Sequence, residues 1–482
     1  MKRASTLGEL KASGYRAKGT KEELRENLIH SIRVGKNPFE GVVGYSDTVI
    51  PQLERAILAK HNISLLGLRG QAKTTIARMM INLLDELIPA IDGTELNEDP
   101  MAPITKQAKQ LLEEMGNATP IRWIHRSERY TEKLATPDVS VADLIGDLDP
   151  IKAANLKLSF SDERAIHFGL VPHSNRGIFV INELPDLQPR IQVALFNILQ
   201  EGDIQIRGFK VRLPLDIQFV FTSNPEDYTN RGSIITPLKD RIQSQIITHY
   251  PLTIDDSRTI TQQEAKLDPT QKDGIVMGGL MNDLIEELSF VARESELIDQ
   301  KSGVSVRLSI TAYESVIATA ELRALRNGNP QTTARISDLM GAIPAITGKV
   351  ELVYEGEQEG ALQVAHQIIR HTIRKEFLKH FPNPERISKR EEASPYDGVV
   401  DWFSAHSIDL DNDASDQEYR ETILSITPLV AFINETMPQL EKSEVCLMAE
   451  FVLHALAEYS LISKKSYHGR VNFNDMLGSM LT

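Results

Sequence analysis

Over the first 250 residues the apolar positions follow two patterns. Short unbroken runs have the length of buried strands: ISLLGL at 63–68, IRWIH at 121–125, GIFVIN at 177–182 and IQFVFTSN at 217–224. Between them, apolar residues recur at helical spacing, as in VIPQLERAIL, IARMMINLLDELIP and RIQVALFNILQEG. Strand–helix alternation of this kind predicts an α/β domain with a parallel sheet covered on both faces. Two stretches interrupt it. LKLSFSDERAIHFGLV at 156–171 and IQIRGFKVRLPL at 204–215 place strand-like runs around polar turns and predict projecting β-hairpins. Residues 91–120 read as an insertion, a loop followed by a helix.

The texture changes at both ends of this region. Residues 1–40 are polar and basic, with one helical pattern in KEELRENLIHSIRVG, and predict a docking arm or a first helix. After Tyr250-Pro251 the strand pattern stops. Residues 251–350 predict a helical lid domain and 351–482 a helical C-terminal extension. The extension is broken by HFPNPERISKREEASPYDG, whose prolines and charges predict an exposed linker. Its last stretch, TPLVAFINETMPQLEKSEVCLMAEFVLHALAEYSL, carries an apolar stripe at helical spacing, which predicts core. The domain expectation is therefore 1–40, 41–250, 251–350 and 351–482.

Composition narrows the class without changing that picture. The chain has 482 residues, 41% hydrophobic and 25% charged, as a soluble globular protein has. A formal net charge of −14 argues against coating of nucleic acid, so a nucleic-acid partner is not expected. The single cysteine, Cys446, excludes a disulfide framework or a thiolate zinc site within one chain and fits a reducing cytoplasm. The first residues lack the apolar segment of a secretory signal, and no apolar run is long enough to span a membrane.

The chemistry lies at the ends of the predicted strands. GLRGQAKTT comprises Gly67, Leu68, Arg69, Gly70, Gln71, Ala72, Lys73, Thr74 and Thr75. It fits the phosphate-binding pattern G-x-x-x-x-G-K-[ST] with alanine at the second glycine. In such a loop, backbone N–H groups and a helix start wrap phosphates, the Lys73 ammonium neutralises the β and γ oxygens, and Thr74 ligates magnesium. Ala72 is expected to need only a backbone conformation that alanine adopts. The strand GIFVIN ends in Asn182-Glu183, where Glu183 is placed to orient an attacking water and Asn182 to hold the magnesium shell. An amide there brings no charge, so restoring a carboxylate by Asn182→Asp would be expected to tighten the metal. Asn224 ends the next strand, at the edge where a γ-phosphate would sit. Arg241 in ITPLKDRIQSQI, which alone reads as a salt-bridged surface arginine, and Arg307 in SGVSVRLSI, at the start of a helix in the helical part, are further candidates.

In this order the motifs resemble the AAA+ ATPases, specifically the clade of the magnesium chelatase I-subunit and the MoxR-like motors. The resemblance runs from about Gly41 to Thr311. It is carried by GVVGY, GLRGQAKTT, KLATPDVSVADLIGDLD, HFGLVPHSNRGIFVINELPDL, NILQEGDIQIRGFKVRLPLDIQFVFTSNPED, PLKDRI and GVSVRL. The two hairpins match the helix-2 insert and the pre-sensor hairpin of that clade. The resemblance implies ATP and Mg2+ as cofactors, with Asn224 as first sensor, Arg307 as second-sensor arginine and Arg241 as a finger reaching a neighbouring subunit's nucleotide. It further implies a six-membered ring in the cytoplasm that remodels a protein partner, often one with a von Willebrand A domain. Two alternatives are a tetrapyrrole magnesium chelatase motor and, with Asn182 as its support, a non-hydrolysing nucleotide-dependent scaffold. A bacterial transcription activator is disfavoured, because the chain has neither a GAFTGA-like loop nor a convincing C-terminal helix-turn-helix.

Overall fold

The computed structural model describes residues 3–155, 157–159, 162–206, 212–225, 233–388, 394–467 and 469–476. Contacts divide the chain into two units, Met1–His249 and Tyr250–Thr482.

The first unit is built on a five-stranded parallel sheet. Its strands are β1 (Ile63–Leu66), β2 (Tyr130–Leu134), β3 (Gly177–Asn182), β4 (Ile217–Ser223) and β5 (Ser244–Ile247), in the spatial order β5-β1-β4-β3-β2. Side chains alternate between the faces. Ile63, Leu65, Ile178, Val180 and Val220 join one cluster with α1 (Thr20–Val34), α2 (Val49–Leu58) and α3 (Lys73–Met79). Phe179, Ile181, Phe219 and Phe221 face the other way, against α4 (Pro189–Glu201) and Leu238 of α5 (Thr236–Arg241). Because all five strands run the same way, their C-terminal ends share one edge, and every loop that carries chemistry leaves from it.

The structure differs from the sequence pattern in instructive ways. IRWIH is a strand, but Ile121–His125 pairs antiparallel with Leu87–Ile91 outside the central sheet. The true neighbour of β3 is β2, YTEKL, a polar edge strand with no apolar run to announce it. Between those antiparallel strands lies the expected insertion, with its helix at Lys106–Met115. The first hairpin is wider than expected. Gly146–Leu148 pairs with Ile166–Phe168 and a short helix, Pro150–Asn155, lies between them. The second pairs Asp203–Gln205 with Arg212–Pro214, and its Arg-Gly-Phe turn lies outside the described residues.

Residues before Gly41 pack within this unit. Leu24, Leu28 and Phe39 are buried in the cluster under the sheet. Glu23 of α1 makes a two-pronged ion pair with Arg129, at 2.7 and 2.6 Å, with both side chains buried. Arg129 also donates to the carbonyl of Arg176, and Glu23 accepts from the backbone N–H of Asp85, so both charges are satisfied where water is excluded.

The second unit is mainly helical. One hydrophobic cluster runs through α6 (Gly279–Glu294), α7 (Arg307–Arg326), α8 (Ala361–His380) and α9 (Lys442–Glu458), so no break in the core falls near residue 350. Cys446 is buried in α9. In the extension, which the sequence reads as mainly helical, there is also a three-stranded antiparallel sheet of Ile408–Asp411, Arg470–Asn474 and Ser463–Tyr467. A two-stranded parallel piece also joins Ile275–Val276 to Thr332–Thr333. The expected linker is not wholly exposed: Phe381 and Tyr396 are buried among Phe377, Phe432 and Phe451. Among the described residues no helix is long and apolar enough to cross a membrane.

Removing one partner of a buried ion pair strands the other charge. Glu23→Ala is expected to destabilise the first unit by about 3–5 kcal/mol. Trp123 fluorescence during urea unfolding, in a Trp402→Phe background, reads that loss.

Candidate functional site

The turn from β1 into α3 is fixed before any ligand is considered. A side chain at Gly67 would lie 2.0 Å from Thr248 Oγ1 and 2.2 Å from Gln71 Oε1, so the loop closes only on glycine. Thr248 donates to Gln71 Oε1 at 2.8 Å, and the buried Tyr45 of GVVGY places its hydroxyl 3.1 Å from the Gln71 carbonyl. Gly70 and Ala72 both take the left-handed conformation, with φ of 73° and 53°. Ala72 thus adopts a conformation open to alanine only at a cost. A left-handed non-glycine residue costs about 1–2 kcal/mol, and here that cost falls at the helix start.

Lys73 opens α3 and its side chain folds back over the loop. Its ammonium donates to the carbonyls of Gly67 and Leu68, the latter at 2.8 Å, and to Asn224 Oδ1 at 2.8 Å. The lysine of one motif and the asparagine 151 residues further on are thus in direct contact. Thr74 is half-buried beside it, while Arg69 and Thr75 are exposed.

The ends of β2, β3 and β4 form a polar row on the α3 face of the sheet. The Glu183 N–H donates to Thr222 Oγ1 at 3.2 Å, and Thr222 donates to Asn182 Oδ1 at 2.9 Å. Asn182 Nδ2 in turn donates to Glu132 Oε1 at 2.7 Å. Glu132 also accepts from Arg78 at 2.8 and 3.2 Å and from the Tyr130 hydroxyl at 3.1 Å. Partial burial pushes the Glu132 carboxyl up, but the Arg78 guanidinium, Tyr130 and the Asn182 amide outweigh it and hold the group below its ordinary range. Glu183 is half-buried at the turn after β3, with φ 56° and ψ 50°. Strained backbone of this kind persists where surrounding contacts over-determine it.

The two arginines lie elsewhere. Arg241 ends α5, paired with Asp240 and with its guanidinium 5.7 Å from the centre of the Phe196 ring. Arg307 is the exposed first residue of α7 in the second unit, with no acidic residue in that first turn. A cation there gains nothing from the helix dipole.

The strand order, the P-loop leaving β1 between β5 and β4, and the helical region that follows define an α/β P-loop AAA+ core with a helical C-terminal region. A family model described as the Sigma-54 interaction domain matches residues 155–247. The hydrogenase transcriptional regulatory protein HoxA of Cupriavidus necator is 24% identical over 176 residues, which is 35% of this chain and 36% of that protein. The match thus spans about a third of the regulator's length. Among solved structures, the complex between subunits BchI and BchD of magnesium chelatase aligns at 19% identity and TM-score 0.34, over 67% of this chain and 98% of that one. NtrX from Brucella abortus with ADP aligns at 11% identity and TM-score 0.40, over 76% and 71%. Similarity at these TM-scores is weak, and the fold assignment rests on strand order and loop geometry.

Glu132, Arg78, Thr222 and Thr248 are site residues that the sequence pattern missed. Each stands outside the motif it serves and is tied to it only through space. The donors at this edge fit magnesium in kind, being oxygens of Thr74, Asn182 and Glu132. Among the described residues no group of three or more His, Cys, Asp or Glu side chains could hold a metal by itself. One or two protein oxygens suffice for a magnesium ion carried mainly on phosphates.

Glycine at position 72 would relieve the left-handed cost. Ala72→Gly is expected to raise stability by about 1 kcal/mol, while Gly67→Ala lowers it and disorders the loop. Thermal unfolding of the two variants beside the parent checks both signs.

Proposed function

We propose that the chain is an ATP-binding and ATP-hydrolysing AAA+ motor that forms a ring and remodels or matures a protein partner. The observation that carries this reading is the contact of Lys73 with Asn224 and the P-loop carbonyls, at the shared edge of a parallel sheet where β3 ends before Glu183. The acceptors that now hold the ammonium are oxygens, and phosphate oxygens are the charged acceptors that would compete for it. Magnesium, when bound with the nucleotide, would add positive charge on the phosphate oxygens; Thr74 and Asn182 are the residues that would hold it. Glu183 positions the attacking water and takes its proton, and Asn224 contacts the transferring phosphoryl group. Arg241, reaching from one subunit toward the next, meets the developing charge, and Arg307 is the second-sensor arginine that the resemblance of the motifs implies. Six subunits, a cytoplasmic setting and a partner with a von Willebrand A domain complete the proposal, all on the resemblance of the motifs. Metal insertion into that partner is one form such maturation takes.

A second reading, an activator of transcription, is favoured by the Sigma-54 interaction match and by the regulator relative. Against it, the hairpin at this place reads LKLSFSD rather than GAFTGA. ATPase activity that rises with a sigma-54 polymerase, and with no other protein, would decide for the activator.

Three variants test the leading reading. Lys73→Ala is expected to abolish tight ATP binding, and an unchanged titration would remove the site. Glu183→Gln should keep ATP bound while turnover falls about 100-fold or more; phosphate release at the parent rate would exclude Glu183 as the base. Arg241→Ala should bind nucleotide normally and lose turnover by about 1,000-fold. Mixing it with Glu183→Gln should restore part of the activity, because some boundaries then pair an intact Glu183 with an intact Arg241. Mixed rings without recovery would count against action between subunits.

A further inference from the structure

The amide at Asn182 leaves the end of β3 without the charge that a magnesium site uses, yet a carboxylate lies one strand away. Glu132 is in register with Val180, so its side chain shares the face that α3 covers. Asn182, two residues on from Val180, lies on that face too. Arg78, which holds Glu132, is one helical turn beyond Thr74 on α3, so Glu132 meets that helix at the turn that follows Thr74. The hydrogen bonds also have a direction. Asn182 accepts from Thr222 through Oδ1 and gives a proton to Glu132 through Nδ2. An aspartate at 182 could not donate that bond, and its carboxylate would repel Glu132 and turn it away.

We propose that Glu132 supplies the carboxylate of this chain's magnesium site and that Asn182, besides its own place at that site, positions it. The charge has moved from β3 to β2, and the asparagine is required there because the glutamate is its neighbour. The inference rests on the nucleotide-binding reading above. Arg78 is the exchangeable partner. Its side chain is 62% exposed, and an ion pair so open to water is weak enough to give way. On this geometry the sign expected for Asn182→Asp reverses: the single change weakens the metal instead of tightening it.

The test is a titration of a fluorescent ADP with the full-length chain, in magnesium and in EDTA, with thermal unfolding alongside. Glu132→Gln should leave affinity in EDTA unchanged and shrink the gain from magnesium by about 10–100-fold. Asn182→Asp alone should lose part of that gain. The double variant Glu132→Gln/Asn182→Asp, which exchanges amide and carboxylate, should recover it. A gain from magnesium that survives Glu132→Gln, or that grows with Asn182→Asp alone, overturns the inference and leaves nucleotide binding standing. ADP binding by the parent that is indifferent to magnesium does the same. A parent that binds no ADP at all overturns both readings.

Discussion

The space at Gly67 admits no side chain, and the arrangement of the site follows from that. Thr248 from the end of β5 and Gln71 from the loop itself close over the glycine. The loop is drawn tight, its carbonyls turn toward Lys73, and the lysine is carried to Asn224 at the end of β4. A side chain at 67 would have to push the Thr248 hydroxyl and the Gln71 amide aside and break the bond between them. The parallel sheet supplies the rest. Strands that start far apart in sequence end side by side, so the order of motifs along the chain becomes a row of groups across one edge.

Two kinds of force hold that row in place. Apolar burial fixes the sheet between α3 on one face and α4 on the other. Polar contacts then select the register: the Glu23–Arg129 pair ties the first helix to the start of β2, and the Thr222–Asn182–Glu132 bonds tie the strand ends to one another. Pairs of this kind add little to stability when formed and cost much when broken. They make one packing of the unit preferable to its near neighbours.

Much of this was legible in the sequence, for physical reasons that differ by element. β1, β3 and β4 are buried on both faces, so their apolar runs stand out, and the groups that follow them, Lys73, Glu183 and Asn224, could be placed at strand ends. β2 is an edge strand of mixed polarity, and its Glu132 looks like any solvated acid until the register sets it beside Asn182. IRWIH is more apolar than YTEKL and drew the strand assignment, because periodicity reports burial and not which sheet a strand joins. The left-handed turn at Ala72 was hidden for a related reason: alanine carries no sign of the backbone around it. The small sheet at Ile408–Asp411 and Ser463–Asn474 lies among helices and is too short and polar for its alternation to stand out.

Glu183 occupies a left-handed turn as well as the position proposed for the base. Position 183 therefore answers to two kinds of selection. Asparagine or glycine suits the turn and removes the proton acceptor; isoleucine or valine fails on backbone grounds alone, whatever the chemistry. In a saturation library the first group would keep the parent's stability and lose turnover, while the second would also lower the melting temperature. A single codon would then separate the architectural demand on this residue from the chemical one.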